Sequence, residues 1–183
     1  MKEFVFSTID DSCEVEYGTR VVQKRDAGYG FPVYGGGGAT FQMDTFNREN
    51  RIVVSRFGIS KQCTRWVEGK FFLNDSGLTL RTKDSSTLSQ EYLDFLTLAL
   101  NDEIYATAKG TAQKNVEMPS FRRIKIAYPN SLDVQKVIVE EIKEYRSKTD
   151  ALRLNFSQSL KDVDKLEKSI LISKMLGISD EPN

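Results

Sequence analysis

The 183-residue chain contains no histidine. The commonest general base is therefore missing, and with it the usual catalytic triads and most zinc and haem sites. Two cysteines, Cys13 and Cys63, are too few for a metal cluster and lack CxxC spacing. Each reads as a small apolar core residue rather than a reactive thiol. The prolines Pro32, Pro119, Pro129 and Pro182 are isolated. The Asn/Asp-Pro-Pro-aromatic motif that an amino-methyltransferase needs to hold an exocyclic amine is therefore absent. The acidic pairs Asp10-Asp11 and Asp102-Glu103 show no nuclease spacing. No catalytic residue, metal or cofactor is expected. There is no signal peptide and no membrane-length apolar run, so a cytoplasmic location is expected. Twenty-six basic residues balance 26 acidic ones, and net charge gives no sign of a polyanionic partner.

What the chain does have is a heptad seam. From Ile138, the positions Ile142, Tyr145, Thr149, Leu152, Phe156, Ser159, Val163, Leu166 and Ile170 follow at alternating steps of four and three. That is the 3.5-residue repeat of a left-handed coiled coil, not the 3.6-residue stripe of a surface helix. No Pro or Gly falls between Ser131 and Leu176. A helix over that span is about 65 Å long, while a domain of the preceding length has a radius of gyration of about 14 Å. The spacing predicts a head over residues 1–131 and a helical dimerisation arm over 132–183. Thr149 and Ser159 are polar seam positions able to set register.

The head reads as α+β: a curved, mostly antiparallel sheet with flanking helices, followed by the long coiled-coil helix. Strands are expected at Phe31–Tyr34, Arg51–Phe57, Thr64–Val67, Lys70–Leu73, Leu78–Arg81 and Ile124–Tyr128. Apolar spacing predicts a helix from a Ser89 cap to Leu100, and a shorter one over Asp102–Ala108. Ser131 is placed to cap the long helix.

Three segments carry candidate chemistry. Tyr34-Gly35-Gly36-Gly37-Gly38 exposes backbone N–H groups and permits close approach of a backbone or a phosphate. No Gly-Lys-Ser/Thr follows it, so it is not a nucleotide phosphate loop; on chemistry alone it is a flexible turn. Arg56-Phe57-Gly58 offers either an arginine fork for guanine or phosphate, or a cross-strand ion pair. Lys109-Gly-Thr-Ala-Gln-Lys114 puts ammonium, hydroxyl and amide donors on a turn. Between Arg48 and Lys83 eight basic residues face three acidic ones. That local excess is either a phosphate-facing surface or a face neutralised by acids nearby in space.

In order, these elements resemble one half of the specificity subunit of a type I restriction-modification system. The pieces that carry the resemblance begin with Tyr17-Gly-Thr, Gly30-Phe-Pro-Val-Tyr-Gly-Gly-Gly-Gly38 and Ile52-Val-Val-Ser-Arg-Phe-Gly58. Asn74-Asp-Ser-Gly-Leu78, Lys109-Gly-Thr-Ala-Gln-Lys-Asn115, Ile124-Lys-Ile-Ala-Tyr-Pro129 and Gln135-Lys-Val-Ile138 follow. The resemblance implies a non-catalytic target recognition domain that reads half of a split site in double-stranded DNA. It also implies a helical spacer that docks DNA adenine methyltransferase subunits and a restriction subunit. Readout by loops would fall on Arg20, Tyr34 to Gly38, Arg48, Arg56, Lys61, Lys109, Thr111, Gln113 and Lys114. Full subunits of this kind carry two such units with antiparallel helices, whereas one is present here. A homodimer through the helix is therefore expected, or a fragment of a larger fused methyltransferase. Tyr128-Pro129-Asn130-Ser131 stands where the family usually has Leu-Pro-Pro. A coiled-coil adaptor that binds protein is the reading from another class, and a carboxylate nuclease is a further one.

Overall fold

The computed structural model describes residues 3–176. The last residues of the expected arm, 177–183, lie outside them. Along the chain come β1 (Phe4–Thr8), α1 (Ile9–Ser12), β2 (Cys13–Tyr17), α2 (Gln23–Asp26), β3 (Phe31–Tyr34), β4 (Ala39–Met43), β5 (Arg48–Ser55), β6 (Thr64–Leu73) and β7 (Gly77–Thr82). Then follow α3 (Gln90–Ala99), α4 (Asn101–Ala106), β8 (Ala108–Lys109), β9 (Asn115–Val116), α5 (Met118–Arg122), β10 (Lys125–Pro129) and α6 (Leu132–Met175). The α+β expectation holds.

Six strands form the main sheet in the order β2-β7-β5-β6-β3-β4. The pairings are antiparallel except β3 with β6. The run Ile52-Val53-Val54 is buried without alternation because β5 is covered on both faces. Val54 joins Leu78, Leu80, Leu88 and Leu93 on one side, while Val53 meets Val67, Phe71 and Leu73 on the other. Burying each such side chain contributes roughly 1.5–3 kcal/mol. β1 pairs with β10, and β8 with β9, in two small antiparallel sheets.

The sequence suggests two strands divided at Glu68-Gly69, but β6 is a single strand of ten residues. Gly69 has φ +73° and faces Asn50, which has φ 48°. The Gly69 N–H donates to Asn50 Oδ1 at 2.8 Å, and the β5–β6 register shifts there. The glycine marks a bulge, not a turn. The second helix also stops earlier than expected, because Ala108 is taken into β8.

Ser89 caps α3 as its spacing predicts, its Oγ accepting from Tyr92 N at 3.2 Å. Ser131 Oγ accepts from Val134 N at 3.4 Å at the start of α6. Gln135 in the first turn is fully buried. Its Nε2 donates to the carbonyls of Thr87 and Pro129 at 2.8 Å, and its Oε1 accepts from Ser89 N at 2.8 Å. Val139, one turn on, is also buried. The chain divides into two compact units, Met1–Val139 and Glu140–Asn183. The first holds both apolar cores and the opening turns of α6. In the second, α6 runs unbroken through Met175 with nearly all of its side chains exposed.

Candidate nucleic-acid interface

Four loops meet where β5 ends. Ser55 Oγ donates to the Gly36 carbonyl at 2.6 Å, and Gly36 N donates to Ser76 Oγ at 3.0 Å. Ser76 Oγ in turn donates to Asn74 Oδ1 at 2.6 Å, and Asn74 N donates to the Tyr34 carbonyl at 2.8 Å. The four glycines are not equivalent. A Cβ on Gly35 would stand 2.2 Å from Ser76 Oγ, and one on Gly36 3.2 Å from the Phe57 carbonyl. Nothing lies within 4 Å of a Cβ on Gly37 or Gly38. The first two seat the loop on the sheet, and the last two form its exposed tip.

Arg56 ties the next pair of loops together. Its backbone N donates to the Ser76 carbonyl at 2.8 Å and its Nη1 to the Asp75 carbonyl at 3.0 Å. Its guanidinium lies 4.5 Å from the Tyr17 ring centre and 4.6 Å from that of Phe57. Such stacking fixes a cation that keeps donors in hand. The Arg56 carbonyl accepts from Val116 N at 2.9 Å, Gly58 N donates to Asn115 Oδ1 at 3.1 Å, and Ile59 N donates to the Lys114 carbonyl at 2.9 Å. The β8–β9 hairpin is thereby fastened beside the 56–59 turn. At its tip Gly110 has φ +124°, and a Cβ there would stand 2.1 Å from the Gln113 carbonyl, so only glycine closes this turn.

Of the residues singled out in the sequence, Tyr34 to Gly38, Arg56, Lys109, Thr111, Gln113 and Lys114 are brought into this cluster. Thr111 and Gln113 are exposed. Lys114 Nζ donates to the Tyr105 hydroxyl at 3.0 Å, and Lys109 Nζ lies 3.6 Å from Glu117. The Ser120 N–H and hydroxyl hold the Glu117 carboxyl below the usual glutamate range. Arg20 is exposed on the loop after β2, which is fixed by Gly18 N to the Gly77 carbonyl and Thr19 N to the Leu73 carbonyl. Lys61 is exposed, its carbonyl accepting from Asn101 Nδ2 at 2.8 Å.

Arg48 is not brought into the cluster. Its guanidinium donates to Thr79 Oγ1 at 3.0 Å, to the Asn47 carbonyl at 2.8 Å and to the Tyr17 carbonyl at 3.4 Å. Glu16 lies 3.9 Å away, and burial pushes the Arg48 pKa down. Arg51 pairs with Asp94 at 3.3 Å and Glu16 at 3.9 Å, and Arg81 pairs with Glu14 and Glu16. Part of the local basic excess is thus neutralised by acids outside the segment. Burial pushes the Asp94 carboxyl up, against the pull of Arg51, Gln90 and the Ile52 N–H. Both thiols are buried, which raises Cys13 to about 12 and Cys63 to about 11, so neither is a nucleophile near neutrality.

The sequence reading missed Arg65, whose Nη2 reaches the Gly36 carbonyl at 3.5 Å, and the polar ties from Asn74, Ser76 and Asn115. It also missed Tyr17 and Phe57 as a cradle for Arg56. The Asn-Asp-Ser-Gly signal was read as a turn and as a piece of the resemblance, not as a hydrogen-bonding partner of the glycine loop.

A mixed sheet thus gathers polar and basic loops at one strand end, and a long helix follows it in sequence. The chain belongs to the type I restriction modification DNA specificity domain family, whose model matches residues 1–162. Its fold is similar to the S subunit of a type I restriction-modification system from M. genitalium, with a TM-score of 0.71 and 20% identity over 97% of this chain and 47% of that one. It is also similar to a chain from a type I R-M system solved for its complex assembly and conformational transition (TM-score 0.68, 17% identity, 93% of this chain and 45% of that one). The HsdS subunit from Thermoanaerobacter tengcongensis has the same fold, with a TM-score of 0.59 and 16% identity over 93% of this chain and 44% of that one. The chain spans about half the length of each of these proteins. No curated protein matches it in sequence. No helix among the described residues is long and apolar enough to cross a membrane.

Proposed function

We propose that this chain is a DNA specificity subunit that brings the methyltransferase and restriction subunits of a type I system to a bipartite target. The observation that supports this best is the convergence of the glycine loop, the stacked Arg56 and the 110–114 turn beyond the end of β5. Arg56, Lys61, Lys114 and Arg20 neutralise phosphates and supply most of the affinity. Thr111 and Gln113 are placed on a fixed turn to read base edges. With nothing within 4 Å of a Cβ at either, Gly37 and Gly38 leave room for a phosphate to come close to the backbone. In this reading methylation and cleavage belong to the partner subunits. Residues 1–131 act as the recognition domain and 132–183 as the spacer. Two copies joined through the helical seam would read an inverted repeat with a fixed gap.

Mapping of adenine methylation in cells with and without this chain tests the reading. One interrupted, inverted-repeat motif is expected to lose methylation when the chain is deleted. An unchanged methylation map overturns it.

A further inference from the structure

The segment between β2 and β3 is fastened at both ends. At its start Gly18 N donates to the Gly77 carbonyl at 3.1 Å and Thr19 N to the Leu73 carbonyl at 2.9 Å. A Cβ on Gly18 would strike the Asn74 carbonyl, so only glycine passes there. Asn74 N is itself bonded to the Tyr34 carbonyl, which puts this anchor at the glycine-loop end of the β3–β4 hairpin. At its finish Gly28 N donates to the Gln42 carbonyl at 2.7 Å, Tyr29 N to Asp44 Oδ1 at 2.9 Å and Gly30 N to the Met43 carbonyl at 3.2 Å. That is the open end of the same hairpin, where Phe31 pairs with Met43. On this held backbone Tyr29 is 93% exposed.

We infer that residues 19–30 form a second DNA-binding surface, continuous with the loop cluster and running along the β3–β4 hairpin. Arg20 and Lys24 meet phosphates, and Tyr29 lays its ring on a deoxyribose and donates its hydroxyl to the phosphate beside it. The inference deepens the DNA reading above and rests on it. It adds Lys24 and Tyr29 to the interface and lengthens the stretch of backbone that the head holds. Gly30 and Tyr34 are four steps apart in the chain. At about 3.3 Å per residue the hairpin carries Tyr29 about 13 Å from the base of the glycine loop. That is about four base pairs at about 3.4 Å each.

The charges of the segment suit a polyanion. Arg20, Lys24 and Arg25 are basic, and Asp26 alone is acidic. That acid is turned inward: its carboxylate accepts from Val22 N at 2.7 Å and from Arg25 Nε at 2.8 Å, which closes the short helix α2. At the far anchor Asp44 is likewise engaged by Tyr29 N. Arg20 and Lys24 are exposed and have no acid partner among the described residues. β3 and β4 carry no charged residue, so nothing on these strands repels a phosphate. A protein-binding patch would ring the tyrosine with apolar side chains. Within the segment only Val22 joins Tyr29 as an exposed large apolar residue. Tyrosine is among the side chains that bond phosphate and sugar without reading sequence.

The test is binding of the full chain, assembled with its methyltransferase subunits, to a mixed-sequence DNA duplex over a series of salt concentrations. Lys24→Ala is expected to weaken binding about threefold or more and to lower the slope of log affinity against log salt by about one. Tyr29→Ala is expected to weaken it by a similar factor with the slope unchanged. Tyr29→Phe keeps the ring and loses the hydroxyl, and should fall between the native protein and Tyr29→Ala. Melting temperatures should match the native one, since both side chains are exposed. Native affinity and native slope in Lys24→Ala and Tyr29→Ala overturn the inference and leave the DNA reading to stand on Arg56 and Lys114. A loss confined to the methylated motif, with the mixed duplex bound as before, makes Tyr29 a base reader and overturns its backbone role. Variants that no longer assemble with the methyltransferase subunits make the segment a protein contact and also overturn it. A native assembly that binds no DNA overturns this inference and the reading it rests on, which the methylation map judges separately.

Discussion

The two ends of β5 make different use of arginine. Toward its start, Arg48 and Arg51 are mostly buried, their donors going to Thr79, Asn47, Asp94 and backbone carbonyls, with Glu16 near both. Past its end, Arg56 is stacked between two half-exposed rings and holds loops rather than core. In sequence the three look alike, each a cation beside strand-forming residues. The difference is made by Glu16 on β2 and Asp94 on α3, which the fold brings to one end and not to the other. A basic count along the chain therefore overstates the surface open to phosphate, and the structure divides it into a part that builds the head and a part that faces outward.

The strongest way to break this division is at its inner end. Asp94→Ala removes the carboxylate that accepts from Arg51, Gln90 and the Ile52 N–H. Removing one partner of a buried pair costs about 3–5 kcal/mol. Arg51 keeps Glu16 at 3.9 Å, so a loss near 3 kcal/mol is expected in denaturant unfolding. DNA affinity per folded molecule should not change. A stability change below about 1 kcal/mol would mean the network is ornamental, and a selective loss of DNA affinity would place Asp94 in the interface instead.

That inner network shows why part of the site was illegible. Local signals made the architecture readable: the β-branched run of β5, the serine caps of α3 and α6, and the heptad period of α6 all act over a few residues. Glu16, Asp94 and Arg51 meet only after three distant segments pack. The same holds for Tyr17 and Phe57, brought to either side of Arg56 by β2–β7 pairing and the turn after β5. Gly69 was a signal correctly noticed and wrongly typed, because a bulge and a turn make the same demand for positive φ. The glycine run was readable as a loop, but which two glycines carry its seat depended on Ser76 and Phe57 arriving from elsewhere.

At the outer end the expected effect is smaller and of another kind. Arg56→Ala with Lys114→Ala should weaken binding to target DNA by at least about 1 kcal/mol and lower the slope of log affinity against log salt by about two. Stability should change less than in Asp94→Ala. Arg48→Ala sharpens the contrast: it should destabilise the fold while leaving the salt slope as it was. A salt slope that responds to Arg48 and not to Arg56 and Lys114 would invert the assignment of the two ends.

The smallest effect probes an acid that serves the outer end. Glu117 caps α5 by accepting from Ser120 N at 2.9 Å and lies 3.6 Å from Lys109 Nζ at the base of the 110–114 turn. Its folded value is held below the ordinary 4.5, chiefly by the Ser120 side chain. A depressed carboxyl stabilises the fold above its unfolded value and loses that contribution as pH falls through the folded one. The melting temperature of the native protein should therefore exceed that of Glu117→Gln by a small, constant margin near neutrality. The margin should narrow as the pH falls below about 4.5 and through the lowered value. A margin independent of pH would mean that the cap works through shape alone. In that case the charge on Glu117 does not help to place Lys109, and the outer loops are set by backbone hydrogen bonds without assistance from an acid.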